Sequence, residues 1–284
     1  MPARTTQTVE VDGRRLALSN LEKVLYPATG TTKAEVLSYY TAVAAVLLPH
    51  VENRPVTRKR WPDGVAGEPF FEKNAPRGTP DWVRTVRLPV PGSTKDRETI
   101  DFALLDDLAG LVWTANLAAL EIHVPQWTVG PRGAVRGPDR LVVDLDPGAP
   151  AGLAECTEVA LAARERLAQD GLECFPVTSG AKGMQLYAPI SGKQDAMVVH
   201  GYARAVAEEL ERALPRLVVS RMTKAIRPGK VLFDWSQNHP AKTTISPYSL
   251  RGRDLPTAAA PRSWTELEAG GLVQLGPDDV LERL

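Results

Sequence analysis

The segment LVVDLDPG, residues 141 to 148, sets two aspartates two positions apart in an otherwise apolar run that ends in a turn. Residues i and i+2 of a strand point to the same face. Asp144 and Asp146 therefore project together, while Val143 and Leu145 face the opposite way, into a core. Two carboxylates held side by side repel, so either one keeps a proton or the pair holds a cation. Oxygen donors alone suit Mg²⁺ or Mn²⁺ rather than zinc. VLFDW, residues 231 to 235, offers a further lone acid, Asp234, in an apolar strand. If the two strands are neighbours, three carboxylates can hold two cations, the arrangement used for in-line displacement at phosphorus. The alternative is that Asp146-Pro147-Gly148 merely opens a turn and Asp144 pairs with an arginine.

Other residues could serve the phosphate side of such a reaction. TSGAKG, residues 178 to 183, places Ser179, two glycines and Lys182 in a strand-turn-strand. A turn of this kind can present backbone N–H groups, a hydroxyl and an ammonium to phosphate oxygens. Its spacing is not that of a Walker A loop, and alone it is only a turn. His123, in LEIHVPQW, lies in another strand. Lys224, Arg227 and Lys230 precede Asp234, and Arg251 and Arg253 lie in SLRGR. Taken singly these cations read as a solvated surface. Flanking acidic strands, they suit a triphosphate bridged by metals.

The elements that must position these groups follow from periodicity. Residues 9 to 19 predict a hairpin around Asp12-Gly13. Residues 32 to 48 predict a helix with a Thr32/Glu35 capping box, ended by Pro49. A second helix is expected over 106 to 120, with Ala119 among its inward residues. A third spans 153 to 169, with Cys156, Val159, Ala160, Ala163 and Leu167 on one face and Gly171 as its stop. A fourth spans 196 to 213. Strands are expected at 121 to 129, 141 to 146, 174 to 178, 184 to 190 and 217 to 220. Residues 91 to 99, PGSTKDRET, read as an exposed mobile loop. The fold class is α+β, with antiparallel or mixed sheets flanked by helices. One domain covers residues 1 to 284, and about the first 60 residues are a candidate small appended module.

Composition narrows the class. The chain has 284 residues, 43% of them hydrophobic, with 34 Lys plus Arg against 34 Asp plus Glu. A real core is affordable, but no whole-molecule field advertises nucleic acid, so any basic surface must be local. The strip Arg54, Arg58, Lys59, Arg60 with Lys23 and Lys33 is one candidate. Two separate cysteines, Cys156 and Cys174, in apolar patterns indicate reduced, buried thiols in a cytoplasmic protein. The N-terminus lacks the apolar core of a signal peptide, and no apolar run is long enough to span a bilayer.

Seven stretches together match a known pattern. NLEKVLYPATGTTK, RPVTRKRWPDG, EIHVPQW, VVDLDPG, TSGAKG, FDWSQN and KTTISPYSLRGR resemble, in order, the polymerase domain of bacterial DNA ligase D, of the archaeo-eukaryotic primase superfamily. The resemblance runs from about residue 16 to about residue 282. It implies a primase-polymerase fold with the active site on the sheet. It implies that Asp144, Asp146 and Asp234 hold two catalytic metals, Mn²⁺ or Mg²⁺. It places Ser179 and Lys182 on the nucleotide's phosphates, His123 in the nucleotide site, and Lys59, Arg227, Gln237 and Arg251 in nucleotide binding or closure. Lys23 and Lys33 match residues that hold a 5′-phosphate at a gap or break. Phe70 and Phe71 match aromatics that stack on template, and Arg60 joins the DNA contacts. Two core phenylalanines would fit the sequence as well, but Pro69 and the flanking charges favour an exposed pair. The 91 to 99 loop corresponds to one that positions primer ends.

The family commonly carries a histidine after the glycine turn, in the pattern SGxKGxH. Gln185 stands there in this chain. Glutamine still forms hydrogen bonds but carries no charge and shuttles no proton. The implied activity is template-directed addition of ribo- or deoxyribonucleotides to a primer 3′-hydroxyl at gaps and broken ends, with ribonucleotides preferred. The setting is bacterial non-homologous end joining on the nucleoid, with Ku and a DNA ligase as partners. No ligase motif is present, so sealing is expected from another protein or another part of a longer chain. The rival readings are a standalone primase-polymerase for excision repair and a DNA-end-binding module without chemistry.

Overall fold

A computed structural model describes residues 6 to 90 and 97 to 284. Most of the expected 91 to 99 loop lies outside the described residues; its last member, Thr99, opens the strand Thr99–Ala103.

Two sheets organise the molecule. The larger has six strands in the order Val218–Val219, Val231–Phe233, Arg140–Pro147, Met184–Pro189, Phe175–Thr178 and Ala260–Pro261. Its neighbours are antiparallel except for the first pair. The smaller has four antiparallel strands, Thr244–Ile245, Ala119–Val124, Thr57–Arg60 and Phe70–Glu72.

Strand alternation decides what each face of the larger sheet does. Leu141, Val143 and Leu145 point into one apolar cluster, against helices α4 (Leu153–Gln169) and α5 (Ala196–Ala213). Both helices were legible because their apolar residues recur at helical spacing and both ends carry signals. In α4, Glu155 accepts from the Gly152 N–H, and Gly171 turns the chain away at φ +73°. In α5, the Asp195 carboxylate accepts from the Met197 N–H. The opposite face of the sheet carries Val142, Asp144 and Asp146. Val142, Val177 and Tyr187 there meet Ile245 of the smaller sheet in a small cluster between the two sheets. A larger cluster gathers Leu16, Leu18, Tyr39, Tyr40 and Val56 from the first 60 residues. It continues through Leu111, Leu120 and Ile122 to Leu250 and Val280.

Two helix boundaries differ from expectation. The 32 to 48 helix is two helices, α1 (Lys33–Ala42) and α2 (Ala44–Val51), bent by 78°. The Thr32/Glu35 capping box is present. The break is at Val43, and Pro49 sits inside α2 rather than ending a helix. The bend wraps Tyr40, Val43, Leu47 and Val51 onto one core, which a straight rod could not do. Pro49 then forfeits a single late backbone bond. The second expected helix, α3 (Leu108–Asn116), is shorter than 106 to 120. Ala118 adopts φ +56°, and Ala119 begins a strand instead of completing a helical face. Strand pairing with Thr57–Arg60 overrides the local helical pattern.

Both cysteines are buried and unpaired. Among the described residues, no single helix is long and apolar enough to cross a membrane.

Candidate active site

The three acids converge. Asp144, Asp146 and Asp234 each offer a carboxylate oxygen, and these oxygens lie within 4.8 Å of one another. Asp144 and Asp146 share a face by strand parity. Asp234 arrives because Val231–Phe233 pairs antiparallel with the same strand, Leu145 opposite Phe233. Asp234 is not inside its strand, as expected, but one residue beyond it, at the start of a short 3-10 helix, Trp235–Asn238. Its N–H still donates to the Asp144 carbonyl at 2.8 Å, which holds the two residues in register. Its carboxylate accepts from the Ser236 N–H at 3.0 Å and from Gln237 Nε2 at 2.9 Å.

Burial pushes Asp144 well above the ordinary carboxylate range, and the charges of Asp146 and Asp234 add to the shift. Burial and Asp234 likewise raise Asp146, against the opposing pull of Arg227 and Arg251. Oxygen donors of one sign, packed this closely, fit hard divalent cations.

This arrangement has a consequence for stability. A carboxyl whose folded pKa exceeds its unfolded value favours folding at low pH. That contribution fades as pH rises through the folded value. Metal-free protein should therefore lose stability with rising pH on account of Asp144 and Asp146. Asp144→Asn should be more stable than wild type at pH 8 in chelator. Urea unfolding at pH 5 and pH 8 measures this; an equal or lower stability of the variant at pH 8 refutes it.

A cleft of about 250 Å³ opens over Asp144 and Asp146, lined also by His123, Ser179, Lys182, Gln185, Gln237, Thr244, Arg251 and Arg253, while Asp234 lies behind its lining. The cleft thus unites both sheets. Asp144, Asp146 and Gln185 come from the larger sheet, and His123 and Thr244 from the smaller.

The glycine turn sits against this cleft, but its backbone donors are largely spent. The Ser179 N–H bonds the Gly183 carbonyl, the Gly180 N–H bonds Gln274 Oε1, and the Ala181 N–H bonds Ser179 Oγ. The expected cradle of backbone N–H groups is therefore reduced, and the turn's contribution rests mainly on the Ser179 hydroxyl and the Lys182 ammonium. Gly180 is required here: at φ +69° it lies against Arg251 and Ala258, where a side chain would collide.

The opposite wall is built around Glu121, which sequence reasoning passed over. It is buried and accepts from His123 Nε2 at 2.8 Å and from the Gly252 N–H at 3.1 Å, with the Arg251 guanidinium at 3.5 Å. Burial alone would raise Glu121, but the His123 bond, Arg251 and Lys59 hold it down at about 2. Burial in turn lowers His123, against the pull of Glu121. Burial favours the neutral imidazole, in which Nε2–H donates to the ionised Glu121 carboxylate and Nδ1 is left as an acceptor. The signal was present in the sequence as Glu-x-His within one strand. Gln274 and Thr244 gave no such signal.

Lys59 is the register partner of both Glu121 and Phe71, and its ammonium lies 4.8 Å from the Trp61 ring and 5.3 Å from the Phe71 ring. The Phe71 ring meets His123 edge-on at 5.8 Å. Phe70 and Phe71 are both exposed, 43% and 58%, so neither is a core residue. Arg227 follows a short 3-10 turn, its guanidinium donating to the Met222 carbonyl, close enough for its charge to be felt at Asp146. It does not line the cleft.

A second pocket, of about 220 Å³, is lined by Ser19, Lys23, Lys33, Arg60, Asn116 and neighbouring residues. Lys23 pairs with Asp63 at 2.9 Å. Lys33 is buried and donates to the Ser19 carbonyl at 2.6 Å. Arg60 donates to the Leu117 carbonyl and to Glu72, and stacks over Phe70 at 5.2 Å. The expected basic strip, in contrast, loses two members. Arg54 is buried against Asp139, and Arg58 is fully buried between Glu72, the Asn74 carbonyl and Trp113. In the strand Thr57–Arg60, neighbouring side chains alternate between faces, so the three consecutive basic positions 58 to 60 cannot share one surface, and Arg54 lies before the strand.

The chain matches known proteins along nearly its whole length. The family model described as LigD, primase-polymerase domain, matches residues 32–284. A multifunctional non-homologous end joining protein LigD of Mycolicibacterium smegmatis is 48% identical over 271 residues, covering 95% of this chain and 35% of the relative. A bifunctional LigD of Bacillus subtilis is 32% identical over 256 residues, covering 90% of this chain and 40% of the relative. The chain thus spans little more than a third of these relatives. The solved polymerase domain of Mycobacterium tuberculosis ligase D, in complex with DNA, superposes with a TM-score of 0.90 at 48% identity, covering 95% and 94% of the two chains. With this fold, this acidic triad and these matches, the chain belongs to the LigD primase-polymerase domain family.

Proposed function

We propose that this chain is a template-directed nucleotidyltransferase that extends a primer 3′-hydroxyl at DNA gaps and broken ends. The carrying observation is the convergence of Asp144, Asp146 and Asp234 below a cleft walled by Lys182, Ser179 and Arg251. Two divalent cations held there, Mn²⁺ or Mg²⁺, would activate the hydroxyl and offset charge on the triphosphate. The three aspartates would hold the ions. Lys182 and Arg251 bind the triphosphate oxygens and stabilise the departing pyrophosphate. Ser179 donates to a phosphate oxygen. His123, oriented by Glu121, accepts a hydrogen bond from the nucleotide. Gln237 holds Asp234 in place, and Arg227 and Lys59 supply charge at the margin. No side-chain nucleophile is required.

DNA lies, in this reading, across Phe70 and Phe71, which stack on template, with Arg60, Lys23 and Lys33 at a 5′-phosphate. The relatives are non-homologous end joining proteins, which supports repair of broken ends as the setting, with Ku and a DNA ligase as partners. The complete triad argues against a purely DNA-binding module.

The test is extension of a 5′-phosphorylated gapped duplex with ribo- or deoxyribonucleotides and Mn²⁺. No extension by the wild type overturns the reading. DNA binding should also weaken steeply with salt. If Lys23, Lys33 and Arg60 neutralise about three phosphates, the log–log slope is about −2 to −3. Phe71→Ala should weaken binding by about 1–3 kcal/mol with little change in that slope. A slope near zero removes the basic pocket from the DNA surface.

A further inference from the structure

We propose that Gln185 is a positioning residue for Asp144, and that Tyr187 sets its orientation. The inference rests on the reading in which Asp144 binds a divalent cation.

Asp144 and Gln185 are direct cross-strand partners in the antiparallel pair Arg140–Pro147 and Met184–Pro189. Gln185 is 4% exposed, so its amide cannot turn to water for partners. Its Nε2 donates to Asp144 Oδ1 at 3.0 Å, and its Oε1 accepts from the Tyr187 hydroxyl at 2.6 Å. An amide has donors at one end and an acceptor at the other, so its orientation follows from its partners. A carboxylate holding a cation only accepts, which demands the N–H end. The single hydroxyl proton of Tyr187 claims the carbonyl end.

Tyr187 is itself held. The Ile245 carbonyl, 3.0 Å away, is a second acceptor for the same proton, and the shorter contact to Gln185 wins it; the Arg140 guanidinium stacks over the ring at 5.2 Å. Arg140 Nε bonds Gln126, and Gln126 bonds Thr244, both at 2.8 Å. Ile245 is the register partner of His123. The hydrogen bonds Asp144–Gln185–Tyr187 thus run from a metal ligand on one sheet to a ring packed against Ile245, on the sheet that carries His123. Such supporting contacts orient a ligand before the ion arrives, and their loss typically costs about 10–100-fold in metal affinity. A glutamine does this without titrating.

The test is Mn²⁺ binding to nucleotide-free protein, by calorimetry, for wild type, Gln185→Met, Tyr187→Phe and the double variant. Thermal melting in chelator confirms that each folds. Gln185→Met should weaken Mn²⁺ binding about tenfold, and Tyr187→Phe by less. The double variant should match Gln185→Met alone, because Tyr187 acts through Gln185. Raising Mn²⁺ should restore extension by Gln185→Met but not by Asp144→Ala. Wild-type affinity in Gln185→Met overturns the inference and leaves the metal site standing. No Mn²⁺ binding by the wild type overturns the metal site itself. Additive effects in the double variant remove Tyr187 from the chain.

Discussion

Asp144→Ala is expected to lower primer extension by about 10³-fold or more while leaving the protein folded and able to bind DNA. Asp144 is tied to both other acids. It shares a strand face with Asp146, and its carbonyl receives the Asp234 N–H. Without its carboxylate, two acids remain to hold the cations, and charge developing on the attacking and leaving oxygens goes uncompensated. The same substitution relieves repulsion in a buried cluster but leaves Gln185 Nε2 without its acceptor, so melting curves are needed to separate stability from activity. Extension is measured at saturating Mn²⁺ on the gapped duplex, alongside melting curves and DNA binding. Activity within tenfold of wild type would remove Asp144 from the chemistry.

Glu72→Gln is expected to destabilise the protein by about 3 kcal/mol, roughly 6–12 °C in Tm. Glu72 is the shared partner of two arginines, 3.3 Å from Arg58 and 3.0 Å from Arg60. The Arg58 side chain is fully buried, and burial pulls its pKa down to about 10 despite Glu72. Removing the acid strands that charge beside a second one, which costs far more than the intact pair contributes. Adding Arg58→Met should recover much of the loss by replacing the stranded charge with an apolar side chain of similar length. The pair also matters for function. It fastens the edge strand Phe70–Glu72 to Thr57–Arg60, and that edge presents Phe70 and Phe71. Urea unfolding decides the matter; a loss under 1 kcal/mol would mean that the Asn74 carbonyl and Trp113 suffice for Arg58.

What was legible in the sequence was what short-range periodicity encodes. Helices α4 and α5 matched to the residue because each combines an apolar stripe with a local start signal, Glu155 in one and Asp195 in the other. Asp144 and Asp146 were readable as a pair because strand alternation is a fixed geometric rule. The Pro49 and Ala119 boundaries failed for one reason. At both, packing of distant segments outweighed a local preference of a kcal/mol or so.

The sequence by itself determined the acidic pair, the fold class and, through motif order, the family. It could not determine that Asp234 would lie within 4.8 Å of that pair, because a lone acid at a strand end carries no address. Nor could it separate Arg58 from Arg60, one buried whole and one at a pocket rim, or reveal Glu121 as the acid that orients both His123 and Arg251. Those choices depend on which strands become neighbours and in what register. Register is set by burying apolar faces contributed from far along the chain, so it exists only once the tertiary structure does.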